Sequence, residues 1–314
     1  MPIDRIRGVL CAGSICFDIL MRPVDDLQWG TSTWVDEFVE DLGGNGGNTA
    51  YALAKLGTPV RLLSMVGKDS HGDRVLARLG EAGVDLSLVE RTEGLTTTTV
   101  CIVNSNGNRF FLKRLGVSHD TFAEPIEFTT ALVGSHTHFH MANLFSIPNL
   151  SKHGAEILRR AREAGLSTSL DTGWDPEKRW IERVGPCLPY TDLLFVNQEE
   201  AQMLTGSSEP ETVAASLREH GVRDVIMKLG ATGCAVLTHE GSHYVPGVSV
   251  GVVDTTGAGD CFAGAFLTAL CHGESYVEAA RFANAVGAAA VETLGAIAGM
   301  RSYEETLLWI GSRP

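Results

Sequence analysis

The 314-residue chain holds seven cysteines (Cys11, Cys16, Cys101, Cys187, Cys234, Cys261 and Cys271) but no Cys-x-x-Cys pair. An odd number of thiols with mostly apolar flanks argues against a disulfide framework or a zinc site, and predicts buried, reduced thiols in a cytoplasmic protein. Long apolar runs are also missing. No stretch approaches the roughly 18–20 residues that cross a bilayer, so no membrane association is expected. Basic residues are scarce: Lys and Arg number 25 against 38 Asp and Glu, a net charge of −13. Contact with a nucleic-acid backbone needs many cations facing phosphate, so a broad DNA or RNA surface is excluded, while a local pocket for one small anion stays open. The chain has no linker, no low-complexity segment and no repeat of solenoid period.

What is present is ordinary globular composition, 44% hydrophobic and 20% charged, enough for one large domain or two small ones with a substantial core. Arg5 and Arg7 precede the apolar run Gly8–Met21 in the manner of a signal peptide, but Gly13-Ser14 and Asp18 interrupt it. The run reads as a buried first strand. Strand and helix patterns then alternate. Val60–Val66, Leu166–Leu170, Leu193–Val196 and Val225–Leu229 read as strands, and Gly72–Ala82, Ala155–Ala164, Gln198–Leu204 and Val213–Glu219 as helices. Alternation of this kind predicts an α/β fold with a mostly parallel sheet between two helical layers. Thr96–Val103 and Arg109–Leu115 are β-rich and flank the turn cluster 104–108, which predicts an inserted hairpin. Thr33–Val39 alternates like a third strand of the same small sheet. A second hairpin, Cys234–Val245, is expected at the edge of the main sheet.

The strongest chemical signal is Asp254-Thr-Thr-Gly-Ala-Gly-Asp260, followed by Phe262, Phe266 and Leu270 at helical spacing. Small residues at a helix start leave bare N–H groups and a favourable dipole for an anion, and Gly257, Ala258 and Gly259 keep no bulk in the way. Asp260, in the first turn beside such a pocket, is ill placed to bind phosphate and well placed to accept a proton from an attacking hydroxyl. A plain capped turn is the competing reading of this segment alone. The second signal is Asp41-Leu-Gly-Gly-Asn-Gly-Gly-Asn48, before a helix that Gly57 ends. This glycine-rich turn matches neither Gly-x-x-x-x-Gly-Lys-Ser/Thr nor Gly-x-Gly-x-x-Gly, which argues against a P-loop ATPase and a Rossmann dehydrogenase.

With these two motifs in this order, the chain resembles the ribokinase-like (PfkB) family of carbohydrate kinases over nearly its whole length. Asn197-Gln-Glu-Glu200 is similar to the family's Asn-x-x-Glu, and Lys228-Leu-Gly-Ala-Thr-Gly233 to its nucleotide-lining strand and turn. The resemblance implies a three-layer αβα sandwich, the α/β part spanning about 1–13, 44–94 and 118–314, with a small β-sheet lid at about 14–43 and 95–117. It implies an ATP-dependent kinase acting on a small sugar or sugar acid. Asp260 is the implied base, and Gly257, Ala258 and Gly259 with the Asp260 amide the implied anion hole. Asp18, Gly43, Gly44 and Asn48 would hold the sugar; Asn197, Lys228, Gly230, Gly233 and Asn284 the ATP; and Glu200 the Mg2+ through water. Asp254 and Thr256, with oxygens around Ala290, Thr293, Gly295 and Gly299, would hold a monovalent cation, K+ in particular. The lid implies a homodimer. A nucleoside kinase, or a non-catalytic sugar- or nucleotide-binding regulator, would share the fold.

Five features touch on substrate or on a rival chemistry. Asn143 stands near the place of a sugar-binding Glu in ribokinases. The segment Asp171-Thr-Gly-Trp-Asp175, with Lys178 to Trp180, is similar to a fructokinase and ketodeoxygluconate-kinase segment, except that Gly173 replaces its Asn, and this resemblance makes Asp171 a candidate sugar ligand. On the lid, Lys113 and Arg114 are candidates for an acidic or phosphorylated sugar, and Trp29, Trp34 and Phe110-Phe111 for a ring. Gly247-Val-Ser-Val-Gly251 matches the hydrolase elbow, but a strand pattern, not a helix, follows the serine. His136, His138 and His140 alternate along a strand; a metal site or a substrate contact there is the alternative to core histidines.

Overall fold

The computed structural model describes residues 6–106 and 109–312; Arg5 and the Gly107-Asn108 part of the turn cluster lie outside the described residues. Thirteen strands are described: β1 (Val9–Gly13), β2 (Cys16–Arg22), β3 (Glu37–Gly43), β4 (Val60–Gly67), β5 (Val89–Thr92), β6 (Thr98–Val103), β7 (Arg109–Arg114), β8 (His138–Ala142), β9 (Ser167–Asp171), β10 (Leu193–Asn197), β11 (Asp224–Lys228), β12 (Gly233–Thr238) and β13 (Gly241–Pro246). The α-helices are α1 (Asn45–Lys55), α2 (Ser70–Glu81), α3 (Thr130–Val133), α4 (Pro148–Glu163), α5 (Ile181–Val184), α6 (Gln198–Thr205), α7 (Pro210–Glu219), α8 (Ala258–Cys271), α9 (Tyr276–Ala290) and α10 (Tyr303–Gly311).

Nine strands form one sheet in the order β13-β12-β11-β10-β9-β8-β1-β4-β5. All its pairings are parallel except those of the β12–β13 hairpin. Successive residues feed opposite helical layers, as pleating requires. Val9, Cys11, Phe195 and Ile226 pack with Leu53 of α1 and Phe266 of α8, whereas Leu10, Met141, Val196 and Met227 pack with Leu158, Leu204 and Leu217 of α4, α6 and α7. Four strands form the second sheet, ordered β3-β2-β6-β7. The three-layer sandwich with a small separate sheet, expected from the alternation and the inserted hairpin, is what is found.

Three local expectations are corrected. The run Gly8–Met21 is not one strand. It breaks after Gly13 into β1 of the large sheet and β2 of the small one. The break falls where the backbones of Gly13 and Gly46 touch, a Cβ on Gly46 lying 2.6 Å from the Gly13 carbonyl carbon. The strand read at 33–39 is displaced to 37–43, because β2 ends at Arg22, opposite Glu37, and offers nothing further to pair with. Trp34 and Trp29 are therefore in solvent rather than over a ring. The stretch 247–253 is irregular, with the Val253 N–H donated to the Val291 carbonyl instead of a strand. The first helix after Ser249 is α8, which begins at Ala258 and so does not make an elbow.

Candidate active site

The candidate residues collect where parallel strands end and two helices begin, the usual crevice of an open α/β sheet. Asn143 follows β8, Asp171 ends β9, Asn197 ends β10 and Lys228 ends β11. Facing them are the N-terminal turns of α1 and α8. These helices can approach closely because Gly264 has no side chain; a Cβ there would stand 2.8 Å from that of Ala52.

Asp260, in the first turn of α8, is 8% exposed. Its Oδ1 accepts from Asn45 Nδ2 and its Oδ2 from Asn48 Nδ2, both at 2.8 Å. Burial pushes its carboxyl up to about 6, against these two hydrogen bonds, and the neighbouring Asp171 carboxylate adds to the rise. The Asn48 Oδ1 is buried with no partner, an acceptor left for a substrate hydroxyl. Gly257 caps α8 with φ 71° and brings no side-chain hydrogen bond to the first-turn amides. A Cβ on Gly257 would also lie 2.5 Å from that of Ala296, so only glycine makes this turn without displacement.

Lys228 Nζ bonds Asp171 Oδ2 at 2.7 Å, with both side chains largely buried. The same ammonium lies beside the α8 turn, 3.2 Å from where a Gly259 Cβ would be. Burial works against its charge, but Asp171, Glu200 and Asp260 outweigh this and raise its pKa. Glu200 and Asn197 form a capping box on α6. Glu200 Oε2 accepts the Asn197 N–H at 3.0 Å and the Thr172 hydroxyl at 2.9 Å. Burial raises the Glu200 pKa, opposed by Lys228. Asp171, read as a sugar ligand, is thus engaged with the lysine read as an ATP ligand.

On the small sheet, Gly43 makes room for Asp18; a Cβ there would lie 2.0 Å from Asp18 Oδ2. Burial raises the Asp18 pKa, and its Oδ1 is buried without a partner. Asp18 is paired with Thr99, and Thr99 with Lys113, so all three share one face. Arg114 belongs to the other face, where it donates to Thr98 Oγ1 at 3.0 Å. Strand alternation therefore separates the two cations that were read together. Gly44 begins α1 with φ 83°.

Gly230 and Gly233 flank the turn between β11 and β12. Asn284 spends its Nδ2 on the Val245 and Pro246 carbonyls, at 3.1 and 3.0 Å, bracing the β13 edge. Asp254 is nearly saturated. Its Oδ1 accepts from the Thr256 amide and hydroxyl, and its Oδ2 from the Gly295 amide. Arg109 Nη1 stands 3.8 Å from Asp254 Oδ1 and donates to Thr256 Oγ1 at 3.1 Å. His138 and His140 are core residues bridged by Ser169 Oγ, each at 2.7 Å, and burial lowers both pKa values. His136 lies before β8 and bonds the Val133 carbonyl. No cluster of His, Cys, Asp or Glu fit for a metal occurs among the described residues.

Sequence reasoning missed Asn45, Thr172 and Arg109. Asn45 had a signal, being the polar residue between the glycine pairs at the start of α1. Arg109 and Thr172 had none, since each acts on a partner remote in sequence.

The comparisons with known proteins place this fold, with its glycine helix start and the buried carboxylate beside it, in a phosphotransferase class. The model of the pfkB family carbohydrate kinases matches residues 8–302, and the chain belongs to that family. It is 34% identical over 285 residues to the ATP-dependent ribose-1-phosphate kinase of Halopiger xanaduensis, covering 89% of this chain and 90% of that protein. It is 28% identical to the 2-dehydro-3-deoxygluconokinase of Bacillus subtilis, covering 91% of each. The structure of Arabidopsis thaliana ribokinase complexed with ribose and ATP matches with a TM-score of 0.83 at 26% identity, covering 98% of this chain and 99% of that one. Among the described residues no helix is long and apolar enough to cross a membrane.

Proposed function

We propose that the protein transfers the γ-phosphoryl group of ATP to a hydroxyl of a small sugar or sugar acid, with Asp260 as general base. The observation that carries this is the buried Asp260, its carboxyl raised to about 6, beside the uncapped α8 amides. In this reading Asp260 takes the proton of the acceptor hydroxyl, whose oxygen attacks the γ-phosphorus. The bond to the β-phosphate oxygen breaks, ADP leaves, and the proton later passes from Asp260 to solvent. Amides of Gly257, Ala258, Gly259 and Asp260 face the charge that spreads over the transferred group. Asn48 Oδ1 and Asp18 Oδ1 supply acceptors for sugar hydroxyls, and Lys228 is held beside the phosphates.

The residues suit Mg2+ held through water rather than by a set of direct protein ligands. Asp171, Glu200 and Asp260 crowd around a single lysine; burial raises the pKa values of Glu200 and Asp260, and the Asp171 carboxylate adds to both rises. A divalent cation carried in with ATP would supply the missing positive charge, and Glu200 would hold it through water. The side chains fit K+ poorly, because Asp254 and Thr256 are spent on each other, on Gly295 and on Arg109. We assign K+ no step. The α/β body and β lid are proposed at the boundaries given above, with a second copy of the chain covering the outer lid face, where Phe38, Phe110 and Leu112 are exposed.

The reading is tested by ADP release across pentoses, hexoses, sugar acids, sugar phosphates and nucleosides. Because only the carboxylate form accepts a proton, log(kcat/KM) on the best substrate should climb with unit slope below about pH 6 and level off above it. A profile flat from pH 5 to 8 would remove Asp260 from the base role.

Lys113 faces Asp18 from the lid edge, and we propose that it meets the carboxylate or phosphate of an anionic sugar. The kinases for ribose-1-phosphate and 2-dehydro-3-deoxygluconate are among the relatives and support this. Lys113→Ala should raise KM for that substrate about 10- to 100-fold, the worth of a hydrogen bond to a charged group. Arg114→Ala, on the opposite face, should leave KM within about twofold. Equal effects of the two changes would discard this assignment.

A further inference from the structure

Asn143 adopts φ 69°, uncommon for a residue other than glycine. The neighbour that permits its placement is Gly173, where a Cβ would stand 2.1 Å from Asn143 Oδ1. Two positions at which this chain departs from the motifs it otherwise resembles, Asn143 and Gly173, are therefore one steric unit. Asn143 is fixed by three local bonds: its Oδ1 accepts the Phe145 N–H at 3.0 Å, and its carbonyl accepts the Ser146 N–H and hydroxyl at 3.2 and 2.9 Å. Its Nδ2 then donates to Asn45 Oδ1 at 3.0 Å, and Asn45 Nδ2 donates to Asp260 Oδ1 at 2.8 Å.

The direction of this chain follows from chemistry. An ionised carboxylate only accepts, so Asn45 must turn its NH2 to Asp260 and its oxygen to Asn143. Asn143 must in turn present its NH2, which leaves its oxygen for the Phe145 amide. Each end is pinned, one by a backbone N–H and the other by a carboxylate. Asn48 holds the second oxygen of Asp260 independently.

We infer that Asn143 and Asn45 form a one-way amide relay that sets the angle of the Asp260 carboxylate, so that Asn45 is a positioning residue for the base and Asn143 serves Asn45 rather than the sugar. This rests on the kinase reading. Without the relay the carboxylate keeps one arm, from Asn48, and turns about it. The charged groups facing Asp260 are Asp171 and Lys228, with the buried thiols of Cys11 and Cys261 close by. None of these is altered by the substitutions below.

The test compares Asn45→Ala, Asn143→Ala and the double variant for kcat, sugar KM and pH profile. Asn45→Ala should lower kcat about 10- to 100-fold, the worth of one hydrogen bond to a charged group. Sugar KM should stay within about threefold, and the acid limb should move to higher pH, because a bond favouring the charged form is lost. Asn143→Ala should give a smaller change of the same kind, and add nothing in the Asn45→Ala background. Asn45→Gln, which keeps the carboxamide, should recover part of kcat. A second readout needs no turnover: the 13Cγ titration of Asp260, identified by its absence in Asp260→Asn, should shift upward in both single variants. Additive losses, or an Asn143→Ala variant that raises sugar KM with the titration unmoved, would overturn the relay. Absence of ADP release by the unaltered protein would instead sink the kinase reading, and the titration would still decide the relay.

Discussion

Asp260→Asn is expected to lower kcat by about 10²- to 10⁴-fold, the usual worth of a general base, with ATP binding retained. The substitution is nearly isosteric, so the α8 turn and its amides should stay in place. It changes two things at the reacting end. The carboxyl raised to about 6, proposed to take the hydroxyl proton, is gone. In addition, the new NH2 must face one of the two carboxamide NH2 groups, of Asn45 or Asn48, that now donate to the carboxylate. One of these must turn away. Single-turnover ADP formation, with ATP binding measured separately by calorimetry, separates the chemical step from binding. A variant that keeps more than about a tenth of the activity would show that solvent or another group takes the proton. Loss of ATP binding together with activity would point to a damaged helix start instead.

The second large effect is expected at Lys228. Lys228→Met leaves Asp171 buried without its partner, beside Glu200 and Asp260. Breaking one side of a buried ion pair typically costs about 3–5 kcal/mol, because the surviving charge has lost both water and its counterion. Urea unfolding at pH 7 should report a loss of that size. Replacing both members, as Lys228→Met with Asp171→Leu, should restore at least half of it, since no orphaned charge is left between them. The single variant should also move the acid limb of the pH profile upward, because Lys228 now favours the ionised form of Asp260. A destabilisation under about 1 kcal/mol would place the pair with exposed salt bridges, which contribute little. That outcome would mean that water reaches the strand ends.

Much of the architecture was legible along the chain. The apolar runs that became β4, β10 and β11 are buried on both faces of a mostly parallel sheet, and such strands read as continuous hydrophobic segments. The helix-start motif at Gly257–Asp260 was legible for a similar reason: the conformations of a glycine turn and the spacing of Phe262 and Phe266 are local properties. The readings that failed depended on a partner. Residues 33–36 alternate like a strand but have no opposite strand once β2 ends. The 247–253 stretch is β-branched, yet the β13 edge stops at Pro246. The run Gly8–Met21 carries an interruption at Gly13-Ser14, but that the chain changes sheet there is seen only with the contact between Gly13 and Gly46.

The candidate site divides along the same line. The sequence alone determined that a carboxylate follows a glycine turn at a helix start and that a glycine-rich turn opens α1, because each depends on residues within one turn of each other. Lys113 and Arg114 are paired as candidates in the sequence, but they stand on opposite faces of β7, and the register with Thr99 and Asp18 decided which of them faces the crevice. Tertiary structure alone joined Asn143 to Asn45 and Asn45 to Asp260, 98 and 215 residues apart, and set Lys228 on Asp171 at the ends of separate strands. Those contacts follow from the order of strands in the sheet and from how closely α1 and α8 pack, and neither quantity is encoded by a pattern of neighbouring residues.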